Sequence, residues 1–136
     1  MAAPEMIVRA AKRFNPYALK MSSHLPPWAT VHHVGRRSGK QYATPVVAFA
    51  ARAVGTPDIQ VLTPLPWGAT TDWTQNVLAA GSYRMTRDGV DYRVDRLRLV
   101  DKDEADPLLA TAQRTLLSLI GVEEYVAGRL SREPTT

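Results

Sequence analysis

The chain contains no cysteine, which excludes disulfides, thiolate metal sites and cysteine nucleophiles. That absence suits a reducing cytoplasm, the expected location. No apolar run reaches the 18 residues a bilayer-spanning helix needs. Arg9, Lys12 and Arg13 interrupt the stretch where a secretory signal would need an unbroken apolar region. Internal repeats, low-complexity segments and long linkers are also missing. The three histidines do not read as a metal site. His32 and His33 are neighbours in an expected strand and point to opposite faces, and His24 has no acidic residue nearby in sequence. There is no Walker A spacing, no GxGxxG opening a helix, and no Ser/His/Asp set of recognisable spacing.

What is present is an ordinary globular balance. The 136 residues, 45% hydrophobic and 22% charged, suffice for one domain spanning residues 1–136 with one core. A net charge of +4 favours an anionic small molecule, an acidic membrane surface or nucleic acid. Nucleic acid is disfavoured, because aromatics are not interleaved with the basic residues as a stacking platform requires.

Ten prolines punctuate the chain. A helix is expected from Pro4, with Ile7, Ala10, Ala11 and Phe14 on one stripe, and a short helical piece over Tyr17 to Met21. These make residues 1–24 an N-terminal helical segment. Packing against the rest of the fold is its expected role, with peripheral membrane contact as the alternative. Trp28 to Val34 reads as a strand, Gly35 to Gly39 as a turn, and Gln41 to Ala51 as the partner strand. Pro45 inside that partner predicts an edge or a bulge. Ile59 to Leu62 is a third strand and Thr63 to Gly68 a loop. A helix follows, capped at Thr70 or Thr71 and closed by Gly81. Tyr83 to Arg87 and Val90 to Val100 are strands joined by Asp88-Gly89, a type I′ turn signal. Asp106-Pro107 is expected to open a helix with Leu109, Ala112, Leu116 and Leu119 inward, ended by Gly121. A last short helix is expected to carry Tyr125 and Val126, with a frayed tail over residues 131–136. Hairpins with a mid-chain helix predict an α+β small β-barrel with helices packed outside, not a doubly wound parallel sheet.

The densest chemistry lies in Gly35-Arg36-Arg37-Ser38-Gly39-Lys40. Three cations, two glycines and a hydroxyl fall in six residues. Glycines expose backbone N–H groups, and such groups in a turn can form an anion-binding concavity. Arginine adds a planar fork matched to phosphate or carboxylate oxygens. The plainer alternative is a surface turn that is basic for local reasons. A second group spans Thr63 to Trp73 and Asn76. It is apolar and aromatic, and its helix start at Thr70 to Asp72 offers free N–H donors. Trp73 and Val77 are expected in the core. Asn76, one turn from Trp73, needs partners if buried.

Together, Val34-Gly35-Arg36-Arg37-Ser38-Gly39-Lys40, Thr44-Pro45-Val46 and Asp72-Trp73-Thr74-Gln75-Asn76-Val77-Leu78-Ala79-Ala80-Gly81 resemble the deazaflavin (F420)-dependent nitroreductase family, also called deazaflavin-dependent oxidoreductases. The resemblance implies a split barrel of the pyridoxamine phosphate oxidase-like, flavin-reductase-like kind. It implies coenzyme F420 as cofactor, with FMN as the alternative. On that pattern Gly35, Arg36, Arg37, Ser38, Gly39 and Lys40 hold the cofactor's anionic phosphate and tail. Pro45 and Val46 pack beside it, Thr63, Pro64 and Leu65 flank the ring, Trp73 and Asn76 support the ring-side loop, and Thr44, Thr71 and Asp72 are further cofactor-binding residues. The implied reaction is hydride transfer from reduced F420 to a quinone, activated alkene or nitro-aromatic. Tyr125 is a candidate proton donor on the same pattern, ahead of Tyr17 and Tyr42, with solvent as the alternative source. The sequence departs from the pattern where some members carry an arginine, here Tyr42, and where some carry Ser-Lys-Gly-Gly, here Thr63-Pro64-Leu65-Pro66. These departures remove a cation and backbone donors. The alternative function is therefore a non-catalytic split barrel binding a cofactor, a tetrapyrrole or a lipid. A homodimer is the assembly the resemblance implies.

Overall fold

The computed structural model describes residues 27–52 and 57–133. The helices expected from Pro4 and over Tyr17 to Met21 lie outside the described residues, as does the membrane contact assigned to them.

Seven strands form one sheet: β1 (Trp28–Val34), β2 (Gln41–Val47), β3 (Phe49–Arg52), β4 (Ile59–Pro64), β5 (Ser82–Arg87), β6 (Val90–Asp101) and β7 (Glu124–Arg132). Their order is β2-β1-β5-β6-β7-β4-β3, and every neighbouring pair is antiparallel. Helix α1 (Asp72–Ala80) lies between β4 and β5. Helices α2 (Lys102–Ala105) and α3 (Thr111–Leu119) lie between β6 and β7.

The side chains show how the sheet curls. One buried cluster joins Val31 of β1, Val46 of β2, Val61 of β4, Met85 of β5 and Val94 of β6 with Val77 of α1. Strands β2 and β4 are far apart in the ladder, so they share a core only because the sheet closes on itself. A second cluster joins Leu62, Val100, Tyr125 and Ala127 with Ala105, Leu109, Leu117 and Val122. It covers the opposite face of β4, β6 and β7, under α2 and α3. The fold is thus the expected α+β split barrel with helices outside.

Pro45 lies on β2, an outer strand of the sheet, as a residue without a ladder donor requires. The strand expected over Gln41 to Ala51 is two strands. Ala48 leaves the ladder and donates its N–H to the Pro27 carbonyl at 2.9 Å. The chain turns there from pairing with β1 to pairing with β4. Asp88 and Gly89 have φ of 52° and 74°, the positive pair a type I′ turn requires.

The C-terminal third departs from expectation. Asp101, not Asp106, caps the first helix there, its carboxylate accepting from the Glu104 N–H at 2.9 Å. Pro107, which has no N–H, falls in a single 3-10 turn (Asp106–Leu108), and a new helix starts at Thr111. The inward residue of α3 is Leu117. Leu116 and Leu119 of the expected stripe are 59% and 80% exposed. The expected final helix is the strand β7, with Tyr125 and Val126 on opposite faces. Both faces of β7 are covered, so Tyr125, Val126, Ala127 and Gly128 are all buried and show no polar alternation. Ser131 and Arg132 are not frayed. They pair with Arg93 and Tyr92, and the Glu133 N–H donates to the Asp91 carbonyl at 3.1 Å.

Gly128 sits where β6 bulges, opposite Arg96 and Leu97. A Cβ there would lie 2.5 Å from Val94 Cγ1, 2.9 Å from Leu97 Cδ2 and 3.1 Å from the Asp95 carbonyl. Gly128→Ala is therefore expected to lower stability by about 1–3 kcal/mol, read from the urea unfolding midpoint.

Candidate functional site

The turn between β1 and β2 is closed by its own backbone. The Gly35 N–H donates to the Lys40 carbonyl at 2.8 Å, and the Gly39 N–H to the Gly35 carbonyl at 2.9 Å. Gly39 has φ of 71°, which favours glycine, and a Cβ on Gly35 would press on Ser38 Oγ at 2.6 Å and displace the hydroxyl to which the Lys40 N–H donates. The Lys40 N–H donates to Ser38 Oγ at 3.2 Å.

Helix α1 then fastens the turn. It ends at Gly81 in the left-handed region, as expected, and starts after Thr71, whose hydroxyl bonds Thr74 Oγ1 at 2.9 Å instead of the helix backbone. Val77 and Trp73 pack into the barrel cluster. On the same side, Asn76 is 4% exposed. Its Oδ1 accepts the Arg36 backbone N–H at 3.1 Å and Arg36 Nη1 at 2.8 Å. Arg36 also reaches Asp72 at 3.4 Å, a weak contact because Asp72 is 89% exposed.

These bonds orient the Asn76 amide. With Oδ1 accepting from Arg36, Nδ2 is the donor to His33 Nδ1, 3.1 Å away. His33 Nδ1 therefore carries no proton, and Nε2–H donates to Thr44 Oγ1 at 2.9 Å. The His33 ring stacks on Tyr42, centroids 5.5 Å apart, and Lys40 Nζ lies 5.6 Å from the Tyr42 centroid. His33 is buried, and that burial lowers its pKa, with His32 adding to the effect and Asp72 opposing it. His32 faces the other way and bonds Thr86 Oγ1 at 2.8 Å.

This geometry corrects the picture of an open nest of donors. The backbone N–H groups of Gly35, Arg36, Gly39 and Lys40 are spent inside the fold. Those of Arg37 and Ser38 have no partner among the described residues, nor does the Arg37 guanidinium. Arg37 and Lys40 are exposed. Arg36, by contrast, organises the turn.

The remaining expected site residues divide. Thr44, Asp72 and Asn76 join the turn's network, while Val46 and Trp73 pack in the barrel cluster and Pro45 lies beside them on β2. Thr63, Pro64 and Leu65 do not form a free loop. Thr63 and Pro64 are the buried end of β4, and the Leu65 N–H donates to the Glu124 carbonyl at 3.0 Å. None of the three is hydrogen-bonded to the turn among the described residues. The Thr63 and Tyr83 hydroxyls lie buried in the barrel without a well-formed hydrogen bond, and burial pushes the Tyr83 phenol above its usual range. Tyr125 is 1% exposed in the second cluster, on the other face of the sheet from Val77 and Val31. Burial, with Asp106 adding to it, raises its pKa, and the structure does not bring it to the turn. Sequence reasoning missed His33 as the link between turn and helix. The available signal was the hairpin register, which sets His33 opposite Tyr42. Among the described residues no group of three His, Cys, Asp or Glu side chains is placed to hold a metal, and no helix is long and apolar enough to cross a membrane.

No protein-family model matches the chain, and no curated protein matches it by sequence. Solved structures do. One, described as a domain-swapped dimer, shares 14% identity over 93% of this chain and 99% of its own, with a TM-score of 0.53. A Clostridium acetobutylicum protein related to general stress protein 26, described as of the pyridoxinephosphate oxidase family, shares 10% over 96% of this chain and 87% of its own, with a TM-score of 0.46. A Nostoc punctiforme protein, described as pyridoxamine 5'-phosphate oxidase-related and FMN-binding, shares 12% over 97% and 83%, with a TM-score of 0.45. At these identities the likeness concerns the fold alone.

Neutral His33 suits its place, and protonation at Nδ1 would set two donors against each other. Because its folded pKa is lowered, the unfolded chain takes up the proton first as pH falls below about 6.5. Stability should be fully present above that value and fall as pH drops toward the folded-state pKa. His32, lowered by burial and by Arg84 against Asp91, adds to the same slope. Urea midpoints measured from about pH 7 down to about pH 5 should decline, and less steeply in His33→Gln.

Proposed function

We propose that the chain is an oxidoreductase whose β1–β2 turn holds the anionic tail of a redox cofactor, coenzyme F420. The observation that carries this reading is the division of labour in the turn. Arg36 is spent on Asn76 and Asp72, and the loop so fastened leaves Arg37 and Lys40 exposed and two backbone N–H groups without a partner among the described residues. Such a set fits phosphate and carboxylate oxygens. The motif resemblance supports F420 over other anions. Bound in its reduced form, F420 would supply a hydride from its deazaflavin C5 to a quinone, activated alkene or nitro-aromatic.

The chain's own part in that chemistry is to hold and to shape. Arg37 and Lys40 neutralise the tail, Ser38 and Arg37 offer N–H donors to it, and Asn76 with His33 keeps the turn from relaxing. Tyr125 is not assigned a proton, because it is enclosed in the second cluster. Pairing of two copies belongs to the same proposal, one neighbour of this fold being described as a domain-swapped dimer.

A second reading, binding without turnover, is favoured by one observation. Thr63, Pro64 and Leu65 are built into the sheet and are not an open wall for a ring. The two readings part on whether a bound reduced cofactor is oxidised by a panel of quinones and nitro compounds.

Titration with reduced F420, with FMN as comparator, is expected to show tighter binding of F420. Arg37→Ala and Lys40→Ala should each weaken it by about 1–3 kcal/mol, and added salt should weaken it further. Failure of both cofactors to bind would overturn the proposal.

A further inference from the structure

The β6 bulge carries an arginine where the backbone favours glycine. Arg96 has φ of 53°. The first residue of such a bulge is ordinarily a glycine, because a Cβ is disfavoured in the left-handed region. Strain of this kind persists where the surrounding structure imposes it, and it collects at ligand sites. Here the ladder resumes normally on both sides, Asp95 opposite Arg129 and Arg98 opposite Ala127.

What the bulge achieves is a convergence of guanidinium groups. Arg96, Arg98 and Arg129 line one cavity of about 240 Å³ with Asp58, Gln60 and Gly128. That volume falls below the roughly 300 Å³ at which drug-sized pockets begin, and suits a small ion or compact metabolite. Gly128 contributes backbone to the lining, its missing side chain facing Val94 and Leu97 instead. The three cations are differently engaged. Arg129 is held by Asp95 through paired bonds of 2.9 and 2.8 Å. Arg98 is held loosely, 3.4 Å from Glu104 and 3.3 Å from Gln60. The exposed Arg96 guanidinium makes no hydrogen bond or ion pair among the described residues.

The geometry points to a second anion site on this face, built from β4, β6 and β7, for a small phosphate- or carboxylate-bearing molecule. Arg96 supplies a guanidinium that makes no hydrogen bond among the described residues and acts only at longer range on Asp95, and Arg98 exchanges its long contacts for the ligand's oxygens. The amide of Gln60 in the same lining can accept from an anion that also carries a hydrogen-bond donor, as hydrogen phosphate does. No residue of the β1–β2 turn network contributes, so the site stands or falls apart from the proposed cofactor.

The test is a titration of the full chain with inorganic phosphate, and separately with citrate, followed by backbone amide NMR. Saturable shifts at Gly128 and Arg96 are expected with at least one of them, and the stronger ligand identifies phosphate or carboxylate as the preferred source. Arg96→Gly relieves the backbone strain while removing the guanidinium. It should raise the thermal unfolding midpoint and weaken the anion at least tenfold. Arg98→Gln should also weaken it. The inference is overturned if neither anion shifts Gly128, if the shifts map only to Gly35–Lys40, if Arg96→Gly leaves binding intact, or if that variant unfolds at a lower temperature.

Discussion

The side-chain amide of Asn76 has one oxygen and one nitrogen, and the candidate site depends on which way they face. Arg36 donates to the oxygen from both its backbone and its guanidinium, and His33 accepts from the nitrogen. A buried amide in that position can satisfy its neighbours in only one orientation. The turn, the helix and the first strand are thereby locked to one another by groups that are each satisfied only if the others are. The lock also sets the charge state of His33, because a protonated ring would face the amide donor with a second donor. Networks of this type rigidify a site when complete and cost free energy when broken.

The lock changes what the basic turn can do. A loop with three freely moving cations would bind anions weakly, since each side chain would have to be ordered on binding. Here the backbone is ordered before any ligand arrives, and one arginine is consumed in ordering it. What remains is smaller and better defined: one guanidinium, one ammonium resting near Tyr42, and the N–H groups of two successive residues. The split barrel supplies the platform. It is closed by side chains from strands that do not pair and backed on its outer face by α2 and α3.

Much of this could be read from local chemistry, and the limits were physical. Trp28 to Val34, the Asp88-Gly89 hairpin and the helix closed by Gly81 are determined by short-range signals that tertiary contacts did not oppose. Pro45 correctly marked an outer strand. The strand change at Ala48 has no local signal, because it depends on where β4 lies. Tyr125 and Val126 read as helix since a strand covered on both faces loses its alternation. The Asp106-Pro107 signal was real but belonged to a single turn between two helices. In the site, the cations were visible in sequence while their division was not. Only the contact with Asn76, 40 positions away in the chain, separates Arg36 from Arg37.

The central claim concerns His33, and ring nitrogen chemical shifts of the ¹⁵N-labelled protein at neutral pH test it most directly. A neutral imidazole with its proton on Nε2 and a bare Nδ1 is expected. A proton on Nδ1, whether in the other neutral form or in the cation, would contradict it.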